Sequence, residues 1–183
     1  MNVANAITVG RMVLTGIFGV LWWRGAHAAA LAVFVAASLS DIADGLVARV
    51  LDQRTRLGQI LDPAADKLML LVSFLVAAAL GAVPRWLAAL VIGRDLVLTS
   101  GGALFAFALR GRLDPERWRP SRLGKYATFT QVLTIGLALL YRLVAGETLR
   151  PYIGALVIVC AALTAISGVQ YVAAGLRALT RSL

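Results

Sequence analysis

Apolar runs alternate with short polar stretches along the whole chain, and the runs are long enough to read as helices that cross a bilayer. MVLTGIFGVLWW at 12–23 is the first, and it must recruit residues from Ile7 onward to reach ~30 Å of hydrocarbon. The pattern then predicts helices over about 28–50, 59–81, 86–109, 123–143 and 152–174. Gly81 with Pro84 just beyond marks the end of the third. Residues 1–11, MNVANAITVGR, are too polar to span and read as a short interfacial segment. Trp22, Trp23, Trp86 and Trp118 fall at run ends, where indole rings favour the headgroup boundary.

Composition agrees with the pattern. Of 183 residues, 60% are hydrophobic and 15% charged, and the mean hydropathy is +0.83. Soluble domains average about 45–50% apolar and about 25% charged. The expected fold is therefore an all-α integral membrane protein: six transmembrane helices after a short N-terminal interfacial segment, forming one domain over 1–183. The net charge of +9 does not point to nucleic acid, because the cations lie between apolar runs instead of on one soluble face. Eleven arginines, Arg11 and Arg49 among them, fall on one side of this topology and four on the other. The cation-rich side is expected to be cytoplasmic, in an inner membrane, with both termini on it. The lone Cys160 lies in an apolar run and implies no disulfide framework.

The second and third runs break the apolar rule. DIADGLVARVLDQRTRLGQILDPAAD, 41–66, holds Asp41, Asp44, Asp62 and Asp66. Spacings of three and four residues put each pair on one helix face. The first pair lies near the end of one helix and the second near the start of the next, so a short connection brings all four to similar depth. Ionisable groups at such depth are costly and usually functional. Four converging carboxylates repel one another unless a cation sits between them, and hard oxygen donors suit Mg²⁺ or Mn²⁺. Two such ions, about 3.5–4 Å apart, would neutralise charge on a phosphoryl group. Gly45, Ala48 and Gly58 remove bulk so that backbone and ligand can approach, and the fork of Arg49 suits a pyrophosphate. These residues read as metal-assisted phosphoryl transfer at the cytoplasmic interface.

Written as Asp41-x2-Asp44-Gly45-x2-Ala48-Arg49-x8-Gly58-x3-Asp62-x3-Asp66, the motif resembles the signature of the CDP-alcohol phosphatidyltransferases, with all eight fixed positions present. Asn5, Thr8 and Arg11 are similar to an N-terminal Asn-x2-Thr-x2-Arg of that family. The resemblance implies a six-span enzyme, a homodimer, that moves the phosphatidyl group of CDP-diacylglycerol to an alcohol and releases CMP. It implies Asp41, Asp44, Asp62 and Asp66 as metal ligands and Asp66 also as the general base. It further implies Asn5, Thr8, Gly45, Ala48, Arg49 and Gly58 at the cytidine-diphosphate site, and Arg94, Asp95, Lys125 and Gln131 at the acceptor site.

The acceptor is less marked. Phosphatidylglycerophosphate synthases of this family tend to carry Arg-Glu where this chain has Arg94-Asp95, an Arg where it has Gly102 and a Lys where it has Ala127. A phosphomonoester carries nearly two charges and recruits more cations than a diester. Fewer cations, with the small Gly101 and Gly102, favour phosphatidylglycerol as acceptor, a cardiolipin-synthase reaction, over the alternative of glycerol 3-phosphate. The alternative from another class is a cation transporter, which calls for acids near the midplane at broken helices. Here they lie near helix ends beside an arginine and glycines.

Overall fold

The computed structural model describes residues 3–50, 56–108, 122–144 and 147–180, and side chains over 8–40, 65–101, 122–144 and 148–177. Among these residues there are six α-helices and no strand: α1 Val3–Trp23, α2 His27–Val50, α3 Arg56–Ala79, α4 Arg85–Ala108, α5 Arg122–Val144 and α6 Arg150–Thr180. A 3₁₀ turn, Glu147–Leu149, leads into α6. The six helices follow the expected apolar runs closely, and α6 continues to Thr180, beyond its expected end.

The N-terminus differs from expectation. Residues 3–11 are helical and continuous with the first apolar run, forming the first turns of α1. No proline interrupts them. Arg11, expected as a loop cation, is buried in α1 at 1% exposure with Asp66 as its partner, so its charge does not force the helix to stop at a boundary. Without it, the cation count behind the orientation is ten against four.

Two glycines end helices. Gly25 (φ 78°) and Gly81 (φ 66°) take the left-handed conformation that costs other residues energy. After α1, the Ala26 amide donates to the Leu21 carbonyl (2.9 Å) and that of Gly25 to Trp22 (3.0 Å). After α3, Ala82 donates to Ala77 (2.7 Å) and Gly81 to Ala78 (3.2 Å). Both are Schellman closures, which satisfy the last helical carbonyls. Another orphan carbonyl of the α3 end, that of Leu80, accepts from Arg142 Nη2 (2.7 Å).

The chain divides into two compact units, residues 1–83 with 135–150, and 84–134 with 151–183. In the first, α1 packs against both α2 and α3. Phe18 stacks obliquely on Trp22 and on Phe34, each with centroids 5.5 Å apart, and Phe74, Ala30 and Ala77 are fully buried around them. The second unit contains α4, the N-terminal half of α5 and most of α6, and its interior mixes Leu87, Val91 and Ala127 with Thr130, Gln131, Thr164 and Ser167.

Some polar residues are buried beside the apolar core, while large apolar side chains are exposed. Gln131 and Ser167 are at 0% exposure while Phe129, Ile158 and Val169 are at 65–69%. Buried hydroxyls are satisfied within their own helices: Thr15 donates to the Arg11 carbonyl (2.9 Å), Ser73 to Met69 (2.7 Å) and Thr134 to Thr130 (2.6 Å). Among the described residues, two helical stretches, Arg122–Val144 and Arg150–Arg177, are long and apolar enough to cross a membrane.

Candidate active site

The acidic motif lies on two helices of the first unit. Asp41 and Asp44 fall in the last turns of α2, and Asp62 and Asp66 in the first half of α3. Gly45, Ala48 and Arg49 continue α2, and Gly58 opens α3. The helical register assumed from the spacing is therefore present at all four acids. The side chains of Asn5, Asp41, Asp44, Ala48, Arg49 and Asp62 lie outside the described residues, as do the basic stretch 109–121 and the connection 51–55.

Asp66 is described, and its Oδ1 accepts from Nη1 of Arg11. The pair is asymmetric: the Arg11 side chain is at 1% exposure and that of Asp66 at 46%. A buried guanidinium needs an anion, and the carboxylate that answers it keeps half its surface open. Thr8, one turn before Arg11 on α1, is also buried, at 1% exposure. The N-terminal Asn-x2-Thr-x2-Arg thus reaches Asp66 of α3 through Arg11, a residue whose role the sequence reading missed. Its signal was a lone cation inside a helical, largely apolar stretch.

Arg94 and Asp95 lie in the second unit, on α4, and are brought together. Arg94 Nη1 donates to Asp95 Oδ1 at 2.6 Å, with side chains at 10% and 16% exposure. Arg94 Nε donates to Ser167 Oγ on α6 (3.2 Å), and the guanidinium lies 5.9 Å from the centroid of the Tyr171 ring. The Ser167 hydroxyl donates in turn to the Thr164 carbonyl (3.2 Å). Gln131 Nε2 on α5 donates to Thr164 Oγ1 (3.1 Å), while its Oε1 is buried with no hydrogen-bond partner among the described residues. Gln131 is therefore joined to Arg94 through α6 but is itself sealed inside. Lys125, in the first turn of α5, is exposed. The sequence reading assigns no role to Ser167 or Tyr171; their one-turn spacing was the available signal.

The arrangement offers a half-open carboxylate held by a buried cation, and a buried guanidinium with capacity to spare. The guanidinium suits a phosphate ester, and the carboxylate suits a cation or a proton.

Comparison with known proteins agrees. The family model described as CDP-alcohol phosphatidyltransferase matches residues 1–173. A probable phosphatidylglycerophosphate synthase of Mycobacterium tuberculosis H37Rv is 34% identical over 184 residues, covering 96% of this chain and 82% of its own length. The CDP-diacylglycerol–glycerol-3-phosphate 3-phosphatidyltransferase of Bacillus subtilis is 29% identical, covering 99% and 98%. A probable CMP-forming cardiolipin synthase of Drosophila melanogaster is 28% identical, covering 76% of this chain and 47% of its own length. These matches leave the cation-transporter alternative without support. With a signature complete at every fixed position and a family match over nearly its whole length, this chain belongs to the CDP-alcohol phosphatidyltransferase family and is an enzyme of that class.

Proposed function

We propose that the chain transfers the phosphatidyl group of CDP-diacylglycerol to the hydroxyl of a glycerol whose far end carries a phosphate. The acceptor oxygen bonds to the phosphorus bearing diacylglycerol, the bridging P–O bond breaks, and CMP leaves with the electron pair. The hydroxyl proton passes to Asp66, with Arg11 holding that carboxylate in place. Asn5, Thr8, Gly45, Ala48, Arg49 and Gly58 bind the cytidine diphosphate.

An all-carboxylate set fits a hard divalent cation, and Asp66 already sits where a cation is accepted, since Arg11 occupies one of its oxygens. Asp41, Asp44, Asp62 and Asp66 would hold Mg²⁺ or Mn²⁺, two ions in our reading, which polarises the phosphate and lowers the pKa of the acceptor hydroxyl.

Phosphatidylglycerol is the acceptor we favour, and the Arg94–Asp95 pair carries that choice. The carboxylate cancels the guanidinium charge, so the pair suits a singly charged diester better than a dianion. Arg94 touches the acceptor phosphate, Asp95 sets the local charge, Gln131 supports from inside and Lys125 adds an exposed cation. Glycerol 3-phosphate is the second reading, favoured by the Bacillus subtilis relative named for that substrate, which aligns over nearly all of this chain.

The chain works as one catalytic domain in an inner membrane, six-spanning and homodimeric, with site and termini cytoplasmic. Large apolar side chains exposed on the helices, Phe129, Ile158 and Val169 among them, support the bilayer, as do helix lengths of 21–31 residues. The test is CMP release by purified protein given CDP-diacylglycerol, Mg²⁺ or Mn²⁺, and each acceptor in turn, with the lipid product read by mass spectrometry. Cardiolipin as product supports the favoured acceptor, and phosphatidylglycerophosphate selects the second. No CMP with any alcohol overturns the reading.

A further inference from the structure

Within the proposed acceptor site, Arg94 is held on several sides by a distant part of the chain. Asp95 is its neighbour on α4, but the rest of its setting comes from a single turn of α6. There, Ser167, Gly168 and Tyr171 lie at positions i, i+1 and i+4, close together on the helix surface. Each meets a different part of the arginine. A Cβ placed on Gly168 would stand 3.4 Å from Arg94 Cγ and 3.9 Å from its Cβ, so the aliphatic stem runs over the bare backbone of α6. The Ser167 hydroxyl accepts from Nε at 3.2 Å. The Tyr171 ring faces the head group at 5.9 Å, within cation–π range.

Nor is Ser167 a loose acceptor. Its own proton goes to the Thr164 carbonyl (3.2 Å), which turns its lone pairs towards Arg94. Thr164, one turn back, is tied to Gln131 on α5. All three of these residues are at 0% exposure. The planar guanidinium is therefore pinned at Nε by α6 and at Nη1 by Asp95. The remaining three N–H groups, two on Nη2 and one on Nη1, have no partner among the described residues. That end of the fork is the part that engages two phosphate oxygens.

We propose that Ser167, Gly168 and Tyr171 are positioning residues for the acceptor: they set the angle at which Arg94 presents its outer N–H groups to the phosphate of the glycerol-phosphoryl substrate. This rests on the acceptor role proposed for Arg94. It locates acceptor specificity on α6, about a hundred residues downstream of the acidic motif. Ser167 and Tyr171 do not touch the reacting atoms, and act through Arg94.

The experiment measures KM for the acceptor and for CDP-diacylglycerol separately, on the full-length protein in lipid nanodiscs, with phosphatidylglycerol in one arm and glycerol 3-phosphate in the other. Ser167→Ala, Tyr171→Leu and Gly168→Val should each raise the acceptor KM about tenfold, the equivalent of one lost hydrogen bond or ion contact, while the KM for CDP-diacylglycerol stays unchanged. Ser167→Thr and Tyr171→Phe, which keep the hydroxyl and the ring, should restore the acceptor KM. An acceptor KM unmoved in Tyr171→Leu and Ser167→Ala, or one that rises in step with that of CDP-diacylglycerol, overturns the inference while leaving the enzyme reading intact. A wild-type protein that releases no CMP in either arm overturns the enzyme reading, and this inference falls with it.

Discussion

Arg11 of α1 and Asp66 of α3, 55 positions apart in sequence, form an ion pair in which the cation is buried and the anion half-open. The asymmetry sets what each partner does. The Arg11 side chain is enclosed by its surroundings, whereas that of Asp66 keeps about half its surface open.

The pair should show in stability as well as in turnover. Asp66→Asn removes a carboxylate charge from beside the buried Arg11 guanidinium and should destabilise the protein by about 1–3 kcal/mol, towards the low end because Asp66 is half-exposed. Adding Arg11→Met should recover most of that loss without restoring activity. Thermal melting of the two single variants and the double, in detergent, measures the coupling; additive effects would mean that the pair does not form.

Asp62→Asn separates chemistry from stability. If Asp62 is a metal ligand, it should lower turnover about 100-fold or more. Wild-type activity should vanish on chelation and return on adding Mg²⁺ or Mn²⁺. Retained CMP release in EDTA, or in both Asp62→Asn and Asp66→Asn, would contradict the metal assignment.

Asp95 sets the charge beside Arg94, so Asp95→Asn makes the site more positive. The ratio of rates with glycerol 3-phosphate over phosphatidylglycerol should then rise severalfold, since the monoester carries the larger charge. An unchanged ratio would remove Asp95 from the acceptor site. Arg94→Lys should weaken both acceptors, because an ammonium cannot reproduce the fork.

The Gln131–Thr164 bond joins two helices in the buried interior of the second unit. Thr164→Val should cost about 0.6–1.7 kcal/mol, the range for interhelical hydrogen bonds in membranes. Pairing it with Gln131→Leu should recover stability, since no unsatisfied amide then remains. Melting temperatures of the two single variants and the double test this.

Much of the molecule could be read from residue order because the controlling forces are local. Apolar runs bounded by Gly25, Gly81 and Pro84 define the helices, since hydropathy sets their length and a left-handed glycine or a proline ends them. The spacing of the four aspartates, met by helical backbone in α2 and α3, identified the family for the same reason: periodicity on a helix is a property of the chain itself. The partners across space were another matter. Nothing local in Arg11 says that it answers Asp66 instead of a lipid headgroup, and nothing in Ser167 or Tyr171 says that they hold Arg94. Those choices depend on which helix faces come together, and a buried cation takes whatever anion or hydroxyl the packing delivers to it.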